Sequence, residues 1–253
     1  MWKKIRIFIL LLILLVVAVD AYRDQNQDWS KPIFVLMHPI NADGSAVTQQ
    51  YIQQLSETDL SGVQQYLKEQ AATHTDLPIN FYFKLGQPLQ TLPPKVPEQA
   101  SALDAILWSL KFRYYAWKNK QNTGIAPNVT LYLNFYDPAQ NKVLKHSTAL
   151  EKGRIGSVNL FAAKSQSEQN KVVLVHELLH TFGASDKYDL TTGQPIYPIG
   201  YADPEKKPVL PQTQAELMGG YIPISPRQSK TPDSVQDTLI NEMTAIEIGW
   251  KKP

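Results

Sequence analysis

The chain has 253 residues, of which 43% are hydrophobic and 19% charged, a composition that supports a buried core and excludes wholesale disorder. Lysine and arginine number 25 against 23 acidic residues, and apart from Lys3, Lys4, Arg6 and Asp20 the charges balance, so there is no electrostatic case for a nucleic-acid partner. With no cysteine, disulfides, thiolate metal sites, iron–sulfur clusters, a cysteine nucleophile and cysteine lipidation are all excluded.

Residues 1–6 are short and basic, and Ile7 to Val19 is an unbroken apolar run. That order is the pattern of a secretory signal. Val19-Asp20-Ala21 would place a cut ahead of Tyr22. The same stretch, taken as residues 5–21, also fits an uncleaved signal anchor with Trp2 and Tyr22 at the two interfaces. Both readings leave the cations in the cytoplasm and put the rest of the chain outside it, either in a bacterial periplasm or secreted. The expected division is 1–21 as signal peptide or anchor, 22–31 as a polar linker, and 32–253 as a single domain.

Ile33 to Met37 is a compact apolar run and predicts a buried strand. A turn follows at Asn41 to Gly44. Thr48 to Thr73 carries helical periodicity, interrupted near Ser61-Gly62, with Leu55, Val63, Tyr66 and Leu67 inward. Alternation predicts a strand over Ile79 to Leu85 and another over Val129 to Tyr136. Between them, Leu92 to Pro97 reads as a loop and Glu98 to Lys118 as a long helix, with Leu103, Ile106, Leu107, Leu110 and Tyr114 at core spacing. Short strands are expected within Asn141 to Leu150 and Ile155 to Phe161, then a helix over Ser167 to Phe182. After Asp186 the chain is irregular and rich in proline, until Asp233 to Trp250 restores helical spacing through Val235, Leu239, Met243, Ile246 and Ile248. Strands alternating with helices predict an α/β fold with a mostly parallel sheet.

The segment from His176 to Tyr188 carries the chemistry. His176 and His180 are four apart, so a helix stacks both imidazoles over one metal ion, and imidazole is a preferred zinc ligand. Glu177 lies about 100° round the helix, where its carboxylate can flank the metal as a general base. Gly183 can end the helix in a left-handed conformation and turn the chain back. Asp186 can then return as third ligand, leaving a fourth position for water, as in catalytic zinc sites. A glutamate from farther along, Glu205 or Glu216, is the alternative third ligand. His38, His74 and His146 lack ligand spacing and are read as structural or surface residues.

His-Glu-x-x-His-x-x-Gly-x-x-Asp resembles the zinc motif of metzincin metallopeptidases in the variant with aspartate as third ligand, shared by the small secreted snapalysin-type peptidases. Tyr188, two residues after Asp186, and Glu216-Leu217-Met218-Gly219-Gly220 resemble further features of that group. The resemblance implies a metzincin-like zincin fold: a twisted, mostly parallel sheet with a short antiparallel edge strand, an active-site helix, a methionine turn at Met218 and a C-terminal helix. It also implies a hydrolase, a Zn2+-dependent metalloprotease acting on protein or peptide substrates held along an edge strand near Lys145 to Leu150. Tyr188 and Tyr221 are candidates to stabilise an oxyanion. The competing reading is a non-catalytic metal-binding interaction module of the cell envelope.

Overall fold

The structure, a computed structural model, describes residues 2–97, 101–122 and 124–252. The first helix, α1, runs over Trp2–Gln25. An 18-residue window of it has mean hydropathy 2.6, none of that window is buried, and by length and composition the helix can cross a membrane. The helix extends past the expected linker boundary at Tyr22. Nor is the rest of that linker free of the domain. Trp29 is a core residue: its indole N–H donates to the Ile248 carbonyl at 2.9 Å, and its ring packs against Phe81, Phe182 and Trp250.

Five strands form the central sheet: β1 (Ile33–Asn41), β2 (Phe81–Leu85), β3 (Val129–Tyr136), β4 (Thr148–Leu150) and β5 (Ile155–Phe161), in the order β2-β1-β3-β5-β4. Every pairing is parallel except β4 against β5. The mixed α/β class, the mostly parallel sheet and the antiparallel edge strand therefore agree with the sequence reading. Side chains alternate across each strand. Val129, Leu131, Leu133 and Phe135 of β3 join one core layer, whereas Tyr132 belongs to a second layer on the opposite face.

Helices α2 (Ala46–Gln53), α3 (Ser61–Ala72) and α5 (Ser167–His180) pack on the first face. The break between α2 and α3 has a cause in the sequence. Ser56 and Asp59 form a capping box that starts a 3-10 turn over Glu57–Leu60, before α3 begins at Ser61. Val63, Tyr66 and Leu67 are buried as expected, and Leu55 is partly so.

Helix α4 (Ala102–Lys118) lies on the second face, started by a capping box of Ser101 and Asp104. The expected first residues, 98–100, lie outside those described. Its orientation reverses the sequence reading. Phe112 is buried against Ile40, Tyr132 and Ile155, while Leu103, Ile106, Leu107, Leu110 and Tyr114 are exposed. The C-terminal region also differs. Instead of one helix over Asp233 to Trp250, it has a 3-10 turn, the short strand β9 (Thr238–Leu239) and the short helix α6 (Glu242–Glu247). Strand β9 pairs with β6 (Ala215–Glu216), and β7 (Ile222–Ser225) with β8 (Gln228–Lys230). Asn241 caps α6 by accepting from the Thr244 amide, which fixes its start well after Val235.

Candidate metal centre

Helix α5 is locked to the sheet before it reaches the site. The Asn170 side chain acts as a backbone surrogate, accepting from the Phe161 amide at 3.0 Å and donating to the Phe161 carbonyl at 2.8 Å. Val172, Val175, Leu178 and Leu179 are buried in the first core layer. His176 and His180 lie about 110° farther round the helix, with ring centroids 4.7 Å apart.

The helix stops as its sequence dictates. Gly183 has φ +99°, and the Ala184 amide donates back to the Leu179 carbonyl at 3.2 Å. A Cβ on Gly183 would meet only ordinary contacts, so the positive φ is what calls for glycine. The turn directs Asp186 to the two histidines. Its Oδ1 lies 3.1 Å from each Nε2, and the two Nε2 atoms are 3.0 Å apart. Among the described residues, these three form the one group able to share a metal ion.

The other ring nitrogens settle what the three atoms are. His176 Nδ1 faces the Leu217 carbonyl at 3.0 Å, and His180 Nδ1 faces the Ala184 carbonyl at 2.7 Å. A carbonyl only accepts, so each Nδ1 carries the hydrogen and each Nε2 turns a lone pair inward. Two nitrogen lone pairs and a carboxylate oxygen crowded to about 3 Å repel one another unless a cation or a proton sits among them. Tetrahedral zinc with bonds of about 2.0–2.1 Å wants donors about 3.3 Å apart. The donor set and its spacing fit such an ion.

The electrostatics agree. Burial pushes the His176 pKa down, but Asp186, the Glu177 charge and the Leu217 carbonyl outweigh it and the net direction is up. Asp186 moves well below the usual carboxylate range: partial burial opposes this, and its bonds to both histidines prevail. Glu177 is 6% exposed, and its Oε2 has no hydrogen-bond partner. Burial raises its pKa against the pull of the two histidines.

Glu177, His180, Asp186, Tyr188 and Leu190 line a cleft of about 390 Å³, closed on the other side by His146 to Ala149. Segment His146 to Ala149 enters edge strand β4, so the cleft runs along that edge. Tyr188 is half-buried in the cleft; burial and the charges of Asp186 and Glu177 push its phenol far up. Tyr221 follows the Met218 turn and is absent from the cleft lining. Met218 is fully buried in a 3-10 turn over Leu217–Gly219, ended by Gly220 at φ +73°. That turn supplies the Leu217 carbonyl that orients His176. Glu216 is not a ligand: its buried carboxylate accepts from the Gly219 amide at 2.8 Å and the Thr244 hydroxyl at 2.7 Å. Glu205 is exposed and outside the donor group.

The sequence reading did not single out Lys187, Ser185 or Glu247. Lys187, 1% exposed, donates to Glu247 of α6 at 2.7 Å, and the Ser185 hydroxyl donates to the same carboxylate at 2.6 Å. The Lys187 amide also donates to the Met218 carbonyl at 2.8 Å. Asp186 is thus held between α6 and the Met218 turn. His146, expected to be a bland residue, lines the cleft and lowers the Glu177 pKa. His38 and His74 play the expected structural parts, bonding to the carbonyls of Gln87 and Ile240. No protein-family model matches the chain, and no curated protein matches it.

Proposed function

We propose that this chain is an extracytoplasmic zinc-dependent endopeptidase of metzincin type, anchored or exported through α1. The observation that carries the reading is the pairing of an open three-donor centre with a buried carboxylate, Glu177, that makes no structural bond through Oε2. A purely structural metal site has no use for such a group.

His176, His180 and Asp186 would hold the ion, with Leu217 and Ala184 keeping the imidazoles in the ligating tautomer. Bound zinc would supply Lewis acidity, which acidifies water and polarises a peptide carbonyl. Glu177 takes the proton of the attacking water and passes it to the leaving amine, a role that its raised pKa suits. The Tyr188 phenol, kept protonated by its surroundings, can donate to the developing oxyanion. The substrate lies extended beside β4 and adds a strand to the sheet edge through main-chain bonds. Met218 and the turn around it form the floor of the site.

A mixed peptide library incubated with the purified chain tests this reading. Cleavage that stops with a chelator and returns with zinc is expected. Zinc uptake without cleavage of any peptide would instead indicate the non-catalytic envelope module.

A further inference from the structure

Helix α4 is apolar on two opposite sides, and the sheet covers only one. Phe112 is buried, with Trp108 and Tyr115 packed beside it. At 3.6 residues per turn, Leu103, Ile106, Leu107, Leu110, Tyr114 and Trp117 fall on a stripe about 180° away. Each is between 46% and 71% exposed. The Tyr114 and Trp117 rings stack at 5.7 Å. Lys111 and Lys118 border one flank of the stripe and Arg113 the other. A contiguous apolar stripe edged by cations marks an interaction surface.

The exit of α1 identifies what covers it. Asp24, in the last turn of α1, accepts from the Gly153 amide at 2.6 Å, and Arg154 donates to the Asp24 carbonyl at 2.6 Å. The Arg113 guanidinium lies against that same Gly153, close enough that a Cβ there would meet it at 2.7 Å. One flank of the α4 stripe therefore adjoins the point where α1 is tied to the domain. From Val19, the end of the apolar run, to Asp24 is five residues, or about 7.5 Å of helix. The headgroup layer of a bilayer is about 5–8 Å deep on each side.

We infer that the α4 stripe rests on the lipid bilayer beside α1, with its apolar side chains in the headgroup–acyl boundary and its cations on anionic lipid phosphates. Trp117 and Tyr114 are the aromatic types that favour this depth, and Lys111, Arg113 and Lys118 match the negative surface. The domain is then held at two points, the Asp24 tether and α4, so the metal cleft keeps a fixed orientation to the membrane. This inference rests on the reading of α1 as a membrane anchor.

Because the chain lacks cysteine, spin labels can be placed singly at Leu107→Cys and Leu110→Cys, with Val143→Cys, 87% exposed, as a water-facing control. The full chain is reconstituted in vesicles of phosphatidylethanolamine and phosphatidylglycerol. Collision rates are then measured with oxygen and with a water-soluble nickel chelate. The α4 labels should show an oxygen-to-nickel ratio severalfold above the Val143 label. Equal ratios in vesicle-bound protein would overturn the α4 contact while leaving the anchor standing. Dipolar broadening between α4 labels of two chains would identify a second copy as the occupant and overturn the inference. Failure of the chain to stay with the vesicles would overturn both the inference and the anchor.

Discussion

The Nε2 atoms of His176 and His180 stand 3.0 Å apart with their other ring nitrogens committed to backbone carbonyls. Neither ring can relieve the crowding by moving its hydrogen to Nε2, because that would leave a bare Nδ1 against a carbonyl oxygen. The three donors are thus grouped so that they could hold a cation, with Asp186 reaching the histidines from the far side of the Gly183 turn.

Asp186→Ala removes the only anionic donor of the three. Zinc affinity, measured by competition with a chromophoric chelator, should fall by more than about 100-fold, beyond what loss of an outer partner usually costs. Unchanged affinity would mean that another group completes the site.

Gly183→Ala places a side chain where φ is +99°. The expected cost is about 1–2 kcal/mol of stability, read from chemical denaturation, together with weaker zinc binding as the turn carrying Asp186 shifts. A variant of full stability and full affinity would show that the turn relaxes freely.

His38 gives a pH dependence away from the metal. Burial depresses its pKa below 6.5, against the pull of the Gln87 carbonyl. A histidine depressed in the fold contributes stability that is present above about 6.5 and lost as pH falls through the folded value. The wild-type melting temperature should therefore drop more between about pH 7.5 and about pH 5.5 than that of His38→Gln. Equal drops would mean that His38 is not linked to folding.

What the sequence discloses depends on whether the deciding group is a side chain at a fixed spacing. The His176-Glu177-His180 helix, the Gly183 turn and the approach of Asp186 are all set within eleven residues, so local geometry suffices to read them. The mostly parallel sheet follows from the alternation of strands and helices. Helix α4 misleads because both of its sides are apolar: periodicity finds a stripe but cannot say which one meets the sheet. Trp29 is hidden in polar surroundings, and only the distant Ile248 carbonyl and Phe182 ring make it core. The carbonyls of Leu217 and Ala184 are backbone groups that every residue has, so no pattern of side chains announces them. The apolar residues from Val235 to Ile248 keep helical spacing, yet their partners lie in different places, and the Asn241 cap divides them.

Glu177→Gln keeps the shape and burial of the side chain while removing its capacity to take a proton. The variant should take up as much zinc as the wild type, and its peptide cleavage should fall by at least about 100-fold. Undiminished cleavage by the zinc-loaded variant would contradict the account.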